Sequence, residues 1–201
     1  MEVLNLFPTN VYVEENSDID NKKLSKIILE KEKTESSMTG KSNQGGWHSS
    51  DDLFNDERFS KIIEYSTAYV RQICQHNNYK EDFKIMLDNM WAIVNRHKDY
   101  NITHIHENVD WSFVYYVKVP KNSGNLIFLD PRIRRIKDRS TSFIKNYDNP
   151  FTHSIYFFSP LEGKFVIFPS YLEHYVEFNT TNKPRICISG NIKIEETLTD
   201  D

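Results

Sequence analysis

His104 and His106, in the run NITHIHEN, are the first residues here that could do chemistry. Side chains alternate on a strand, so these two imidazoles share a face with Ile102 and can converge on one metal ion. Neutral imidazole suits iron, zinc, copper or nickel. Alone, the pair is better explained as two ordinary polar histidines. In LEHYVEF the same alternation puts His174 with Leu172, Val176 and Phe178, pointing into a core, and Glu173, Tyr175 and Glu177 on the other side. An inward histidine on a separate strand shifts the balance towards a metal. The last apolar run, RICISGNIKI, sets Ile186, Ile188, Ile192 and Ile194 against a row of Arg185, Cys187, Ser189 and Asn191. That polar row lines either a cavity or solvent. An arginine inside a barrel would need an anion, and its fork suits a carboxylate. The alternative is a strand-end Arg185 paired with a surface acid.

These residues need elements to hold them. An opening strand is expected over 3–13, and a short helix over 18–33, capped by Ser17 and Asp18, with Leu24, Ile27 and Ile28 on one stripe. The segment 40–50, KSNQGGWHSS with its preceding Gly40, reads as a mobile loop. A second helix over 56–77 is clearer: Phe59, Ile62, Ile63, Ser66, Tyr69, Val70, Ile73 and Cys74 recur at three and four. From Asn78 the period is two. Strands are expected near 83–95, 100–106, 111–119, 124–129, 152–158, 164–168, 172–178 and 184–194. Eight strands at that spacing suggest a sandwich or jelly roll with the helices on one face. The excursion 130–149, with RIRRIKDR, interrupts them as a solvated loop.

The 201 residues fit a single domain with an N-terminal part (1–82), a β core (83–194) and a short tail (195–201). A chain of this size buries about 70% of its unfolded surface and needs no disulfide to stay folded. With 25 basic and 29 acidic residues the net charge is -4, which argues against nucleic acid as a partner. Two cysteines, Cys74 and Cys187, point to a reducing compartment. No apolar run approaches about 20 residues, and the N-terminus lacks a signal-peptide pattern, so neither membrane span nor signal is expected. His76, His97 and His153 fall in helix-end or turn contexts and are expected to face solvent.

The runs HIHENVDWSFVYYVKVPKNSGNLIFLDPR and LEGKFVIFPSYLEHYVEFNTTNKPRICISGNI carry a resemblance. They are similar to the 2-oxoglutarate- and Fe(II)-dependent oxygenases of bacteria and phages, in the prolyl-hydroxylase-like superfamily. The family pattern runs H-x-H-P, S-G-V-Y-Y, G-x-L-x-F-x-D-P-R, L-F-P-S-x-L-x-H and R-x-S-x-S-F-N. The likeness spans roughly 91–194 and fades towards GGWHSS. It implies an α+β, mainly β fold, a double-stranded β-helix with N-terminal helices packed on one face. It implies His104 and His174 as Fe(II) ligands, Arg185 on the distal carboxylate of 2-oxoglutarate, and Tyr116 hydrogen-bonding that carboxylate. Dioxygen would be the co-reactant and succinate the by-product, with hydroxylation of an unidentified protein side chain or small molecule in the cytoplasm of a bacterium or phage-infected cell. Trp47 and His48, with the 130–149 excursion, are candidate lids. Where the superfamily has an acid two residues after the first histidine, this chain has His106. Three histidines, an acid such as Asp110 or Asp130, or two protein ligands alone could complete the site. Glu107 replaces the usual proline, Phe113 a glycine, Cys187 a serine and Gly190 a phenylalanine; the Cys187 change removes a hydroxyl donor to the cosubstrate. A cupin-like metalloenzyme without 2-oxoglutarate and a non-catalytic jelly-roll binding module are the competing readings.

Overall fold

A computed structural model describes residues 1–2, 4, 6–132 and 154–197. In chain order it runs β1 (Tyr12–Glu15), α1 (Asn21–Thr34), β2 (Asn43–Gln44), β3 (Trp47–His48), two single 3₁₀ turns over Leu53–Asn55 and Glu57–Phe59, and α2 (Ser60–His76). Then come β4 (Phe83–Asn95), β5 (Tyr100–His104), β6 (Trp111–Lys118), β7 (Leu126–Leu129), β8 (Ile155–Phe158), β9 (Lys164–Pro169), β10 (His174–Val176) and β11 (Arg185–Glu196).

Two sheets form, ordered β1-β9-β6-β11-β4-β3 and β2-β5-β10-β7-β8, and the paired strands within both are antiparallel. From β4 to β11 the chain passes back and forth between the sheets, so the expected eight strands make a jelly roll. The alternation of the sequence becomes a division of labour. One face of the first sheet, with Met90, Ala92, Val94, Phe113, Tyr115, Ile186 and Ile188, packs on Ile27 and Ile28 of α1 and Ile62, Val70 and Cys74 of α2. The other face, with Trp91, Ile93, Tyr116 and Cys187, looks into the space between the sheets.

α2 starts at Ser60, later than the expected 56, and buries Ile62, Ser66, Val70, Ile73 and Cys74 of the expected stripe, while Ile63 and Tyr69 are half-buried and Phe59 is buried in the turn before it. α1 begins later than expected, because its capping side chain is Asp20, which accepts from the Lys23 N–H. Asp18 instead accepts from the Tyr65 hydroxyl. The opening strand is also displaced: β1 starts at Tyr12, where it can pair Ile167 on the edge of β9, and Leu4, Leu6 and Phe7 are exposed. The segment read as a mobile loop holds β2 and β3, one on each sheet, linked by Gly45 and Gly46, both in the left-handed region. Trp47 and His48 are 5% and 3% exposed. They belong to the sheet wall and do not form a lid. The other lid candidate, 130–149, and His153 lie largely or wholly outside the described residues.

Two departures from the family pattern meet in space. Phe113 and Gly190 are direct cross-strand partners on β6 and β11. A Cβ on Gly190 would stand 2.6 Å from Phe113 Cε1. The ring supplied by one strand in the family pattern is here supplied by its neighbour, and the glycine makes room for it.

Candidate metal centre

His104 ends β5 and His174 begins β10, and the two residues are directly opposite in register. His106 lies just beyond β5, its backbone N–H donating to the Ser170 carbonyl. The three rings close up: centroids are 4.3 Å apart for His104 and His174, 5.1 Å for His104 and His106, and 5.2 Å for His106 and His174. One ligand nitrogen from each falls within 4.8 Å of the others. Two nitrogens bound at about 2.1 Å to one ion stand at most about 4.2 Å apart, so an ion would draw the set in slightly.

The tautomers suit that role. His104 Nδ1 lies 2.7 Å from the Ile102 carbonyl and His174 Nδ1 2.8 Å from the Leu172 carbonyl. A carbonyl only accepts, so each Nδ1 carries the proton and each Nε2 keeps its lone pair. Burial lowers all three pKa values: His104 in direction, His106 to about 4 and His174 to about 3, with the neighbouring imidazoles adding to the last two. All three are therefore neutral donors at pH 7.

The acids considered as a third ligand are engaged elsewhere. Asp110 Oδ2 accepts from the Ile194 N–H at 2.7 Å, and its side chain faces a cleft of about 760 Å³ shared with His106, Glu107, Tyr12, Tyr79 and Tyr171. Asp130 pairs with Arg132 at 2.8 Å. Among the described residues neither joins the histidine cluster.

Arg185 is 3% exposed and opens β11 opposite Asn95. Its Nη1 donates to the carbonyls of Ser123 (2.8 Å) and Gly124 (3.3 Å). Among the described residues it forms no ion pair, so the strand-end arginine paired with a surface acid is not what folds. Burial presses against its charge and lowers its pKa. Around it lie buried polar atoms without partners: both side-chain atoms of Asn95 and the Ser123 hydroxyl. A buried cation beside unsatisfied donors and an unsatisfied acceptor is the environment a dicarboxylate's end would complete. Next along the interior come Cys187 and Tyr116, register partners whose ionisable groups burial holds in the protonated form.

Sequence reasoning missed several neighbours. Trp91, on the interior face of β4, tilts against His106 at 6.0 Å and stacks on His48 at 5.5 Å. Phe168 packs edge-on to His174 at 4.7 Å. Beside it, Ser112 donates to Asn191 Oδ1 (2.7 Å) and Asn191 to Asn89 Oδ1 (2.8 Å). Alternation along β4 could have placed Trp91, Asn89 and Asn95 on this face. His76 and His97 are exposed, as expected.

A jelly roll that gathers three neutral imidazoles between its sheets, with a buried arginine on the same interior, is a metal-binding scaffold with a place for an anion. The chain belongs to the family described as "Putative 2OG-Fe(II) oxygenase", whose model matches residues 89–191, just over half its length. Solved structures share the fold. A Pseudomonas putida prolyl-4-hydroxylase aligns with TM-score 0.61 at 13% identity, covering 92% of each chain. A viral collagen prolyl hydroxylase from Paramecium Bursaria Chlorella virus-1, solved with 2-oxoglutarate, aligns at 0.54 and 12%, covering 90% of this chain and 94% of its own. HygX from Streptomyces hygroscopicus, solved with nickel and 2-oxoglutarate, aligns at 0.60 and 9%, covering 92% and 83%. No curated protein matches the sequence. The family's cofactor is Fe(II) and its cosubstrates are 2-oxoglutarate and dioxygen. Among the described residues no helix is long and apolar enough to cross a membrane.

Proposed function

We propose that this oxygenase hydroxylates an unidentified protein side chain or small molecule while 2-oxoglutarate is decarboxylated to succinate. Three converging imidazoles, neutral and with two tautomers fixed, carry the reading. His104, His106 and His174 hold Fe(II), and Arg185 takes the distal carboxylate of 2-oxoglutarate. Bound Fe(II) and 2-oxoglutarate supply the oxidising chemistry. The chain's own part is placement. The Ile102 and Leu172 carbonyls hold two ligand rings in orientation. Arg185 anchors the cosubstrate with Tyr116 and Cys187 alongside, and Trp91, Phe128 and Phe168 exclude water. Substrate approaches from the cleft beside His106. Both cysteines are free, in keeping with a reducing cytoplasm.

Arg185, buried and without an ion-pair partner among the described residues, favours this over a cupin-like metalloenzyme without an anionic cosubstrate. Anaerobic titration with Fe(II) and then 2-oxoglutarate tests it through the weak visible charge-transfer band. The band should form in the native chain, vanish in His174→Ala, and need far more 2-oxoglutarate in Arg185→Ala. Its absence from the native chain would reject the reading.

A further inference from the structure

The cleft of about 760 Å³ beside His106 carries charge of one sign. Glu107 and Asp110 line it, and among the described residues no lysine or arginine does. Asp110 uses Oδ2 to accept from the Ile194 N–H, Glu107 is exposed, and neither forms an ion pair among the described residues. Three phenols, Tyr12, Tyr79 and Tyr171, line the same cleft. Burial first, and then the neighbouring groups Cys74, Asp110, Tyr12 and Tyr171, raise the Tyr79 pKa. The cleft's own groups therefore share one field, and its sign is negative. Carboxylates set among aromatic rings are what an ammonium or guanidinium binds.

Trp111 adds a second, independent demand. It lines the same cleft, is 6% exposed, and its indole N–H has no partner. A buried donor left unpaired is costly, and an acceptor brought by a ligand would satisfy it. A simple amine carries the cation without the acceptor, whereas a lysine or arginine residue in a peptide carries both. We propose that the cleft binds a basic residue of a peptide substrate, with its cationic head on Glu107 and Asp110 among the tyrosines and a main-chain carbonyl on the Trp111 N–H. This names a substrate class for the oxygenase reading above and rests on it. His106 belongs to both the cleft and the histidine cluster, so a residue bound there lies beside the proposed metal centre.

Saturation-transfer NMR titrations on the full-length chain at low salt test it by binding alone. The probes are glycine-rich peptides with a central lysine, acetyl-lysine or glutamate, and n-butylamine as the bare cation. The native chain should bind the lysine peptide about tenfold more tightly than the acetyl-lysine peptide and leave the glutamate peptide unbound. Added salt should weaken the lysine peptide and not its acetylated form. The double variant Glu107→Gln/Asp110→Asn should erase the preference; if it fails to fold, Glu107→Gln alone, at an exposed side chain, should cut lysine-peptide affinity about threefold. Trp111→Phe removes only the N–H, and should weaken the lysine peptide several-fold while leaving n-butylamine unchanged. Equal affinity of the native chain for the lysine and acetyl-lysine peptides overturns the inference, as does a preference that survives loss of both carboxylates. n-Butylamine binding as tightly as the lysine peptide overturns the peptide assignment and makes a small amine the ligand. Failure of the oxygenase reading shows separately: lysine-peptide binding as expected with no Fe(II)–2-oxoglutarate band rejects that reading and leaves the cleft a cation site without the proposed chemistry.

Discussion

If Phe113 and Gly190 have traded roles, exchanging them back should restore what each change alone destroys. Phe113 is 1% exposed, in the core between the first sheet and the helices. Truncating such a ring costs about 3–5 kcal/mol, and glycine within a strand adds roughly 0.5–1 kcal/mol. Gly190→Phe alone puts a Cβ 2.6 Å from Phe113 Cε1 and 2.9 Å from the Asn89 carbonyl oxygen. Overpacking on that scale costs about 3 kcal/mol. Independent effects would therefore total roughly 7 kcal/mol, comparable to the whole stability of an ordinary domain. In the double variant Phe113→Gly/Gly190→Phe the volume is conserved, and the loss should be only about 2 kcal/mol. The coupling energy is then roughly 5 kcal/mol in the favourable direction. Urea unfolding followed by circular dichroism measures it, with Phe113→Leu and Gly190→Ala as a milder cycle if either single variant fails to fold. Losses that add to within about 0.5 kcal/mol would refute the compensation.

Acid should weaken the metal-free protein through the same histidines. Their folded pKa values lie below the ordinary 6.5, at about 4 for His106 and about 3 for His174. The unfolded chain therefore binds more protons, and the stability present above pH 6.5 is lost as pH falls through that window; the urea midpoint should drop between pH 7 and 5, and less so in His174→Phe, whereas equal slopes would refute this. Cys187→Ser should tighten 2-oxoglutarate binding several-fold by adding a hydroxyl donor in the row next to Arg185, and calorimetry showing unchanged affinity would remove Cys187 from the cosubstrate site. Trp91, 6.0 Å from His106, should have its fluorescence quenched by bound Co(II); quenching that persists in Trp91→Phe would assign the signal to Trp47 or Trp111.

The parts of the fold that repeat over several turns or pleats were legible. α2 carries seven of the eight stripe residues, with Phe59 in the turn just before it, and β4 was bounded correctly from its alternation alone. What escaped is set by pairing at a distance. β2 and β3 are two residues each, too short for any period, and exist only because β5 and β4 offer them edges. β10 stops at Val176 although the alternation continues to Phe178. The chain turns there on Asn179, whose amide donates to the Asn95 and Lys183 carbonyls, and Phe178 packs outside on Tyr100 at 4.4 Å. The third candidate ligand was undecidable for a similar reason. β5 ends at His104, so alternation has no authority over His106, whose place is fixed by the Ser170 carbonyl from another strand's end.

Register explains why so short a strand as β10 can hold His174 in the histidine cluster. His174 faces His104 on one side and Phe128 on the other. A slip of one residue against either neighbour would turn His174 outward and bring Glu173 or Tyr175 into the cluster, because side chains alternate. Such a slip would also expel Leu172, 3% exposed, from the interior. The apolar residue two places before the histidine thus holds the register that the proposed metal site needs. The departure at His106 lies outside this constraint, on a segment no strand ladder fixes. There a carboxylate can give way to an imidazole without disturbing the sheets.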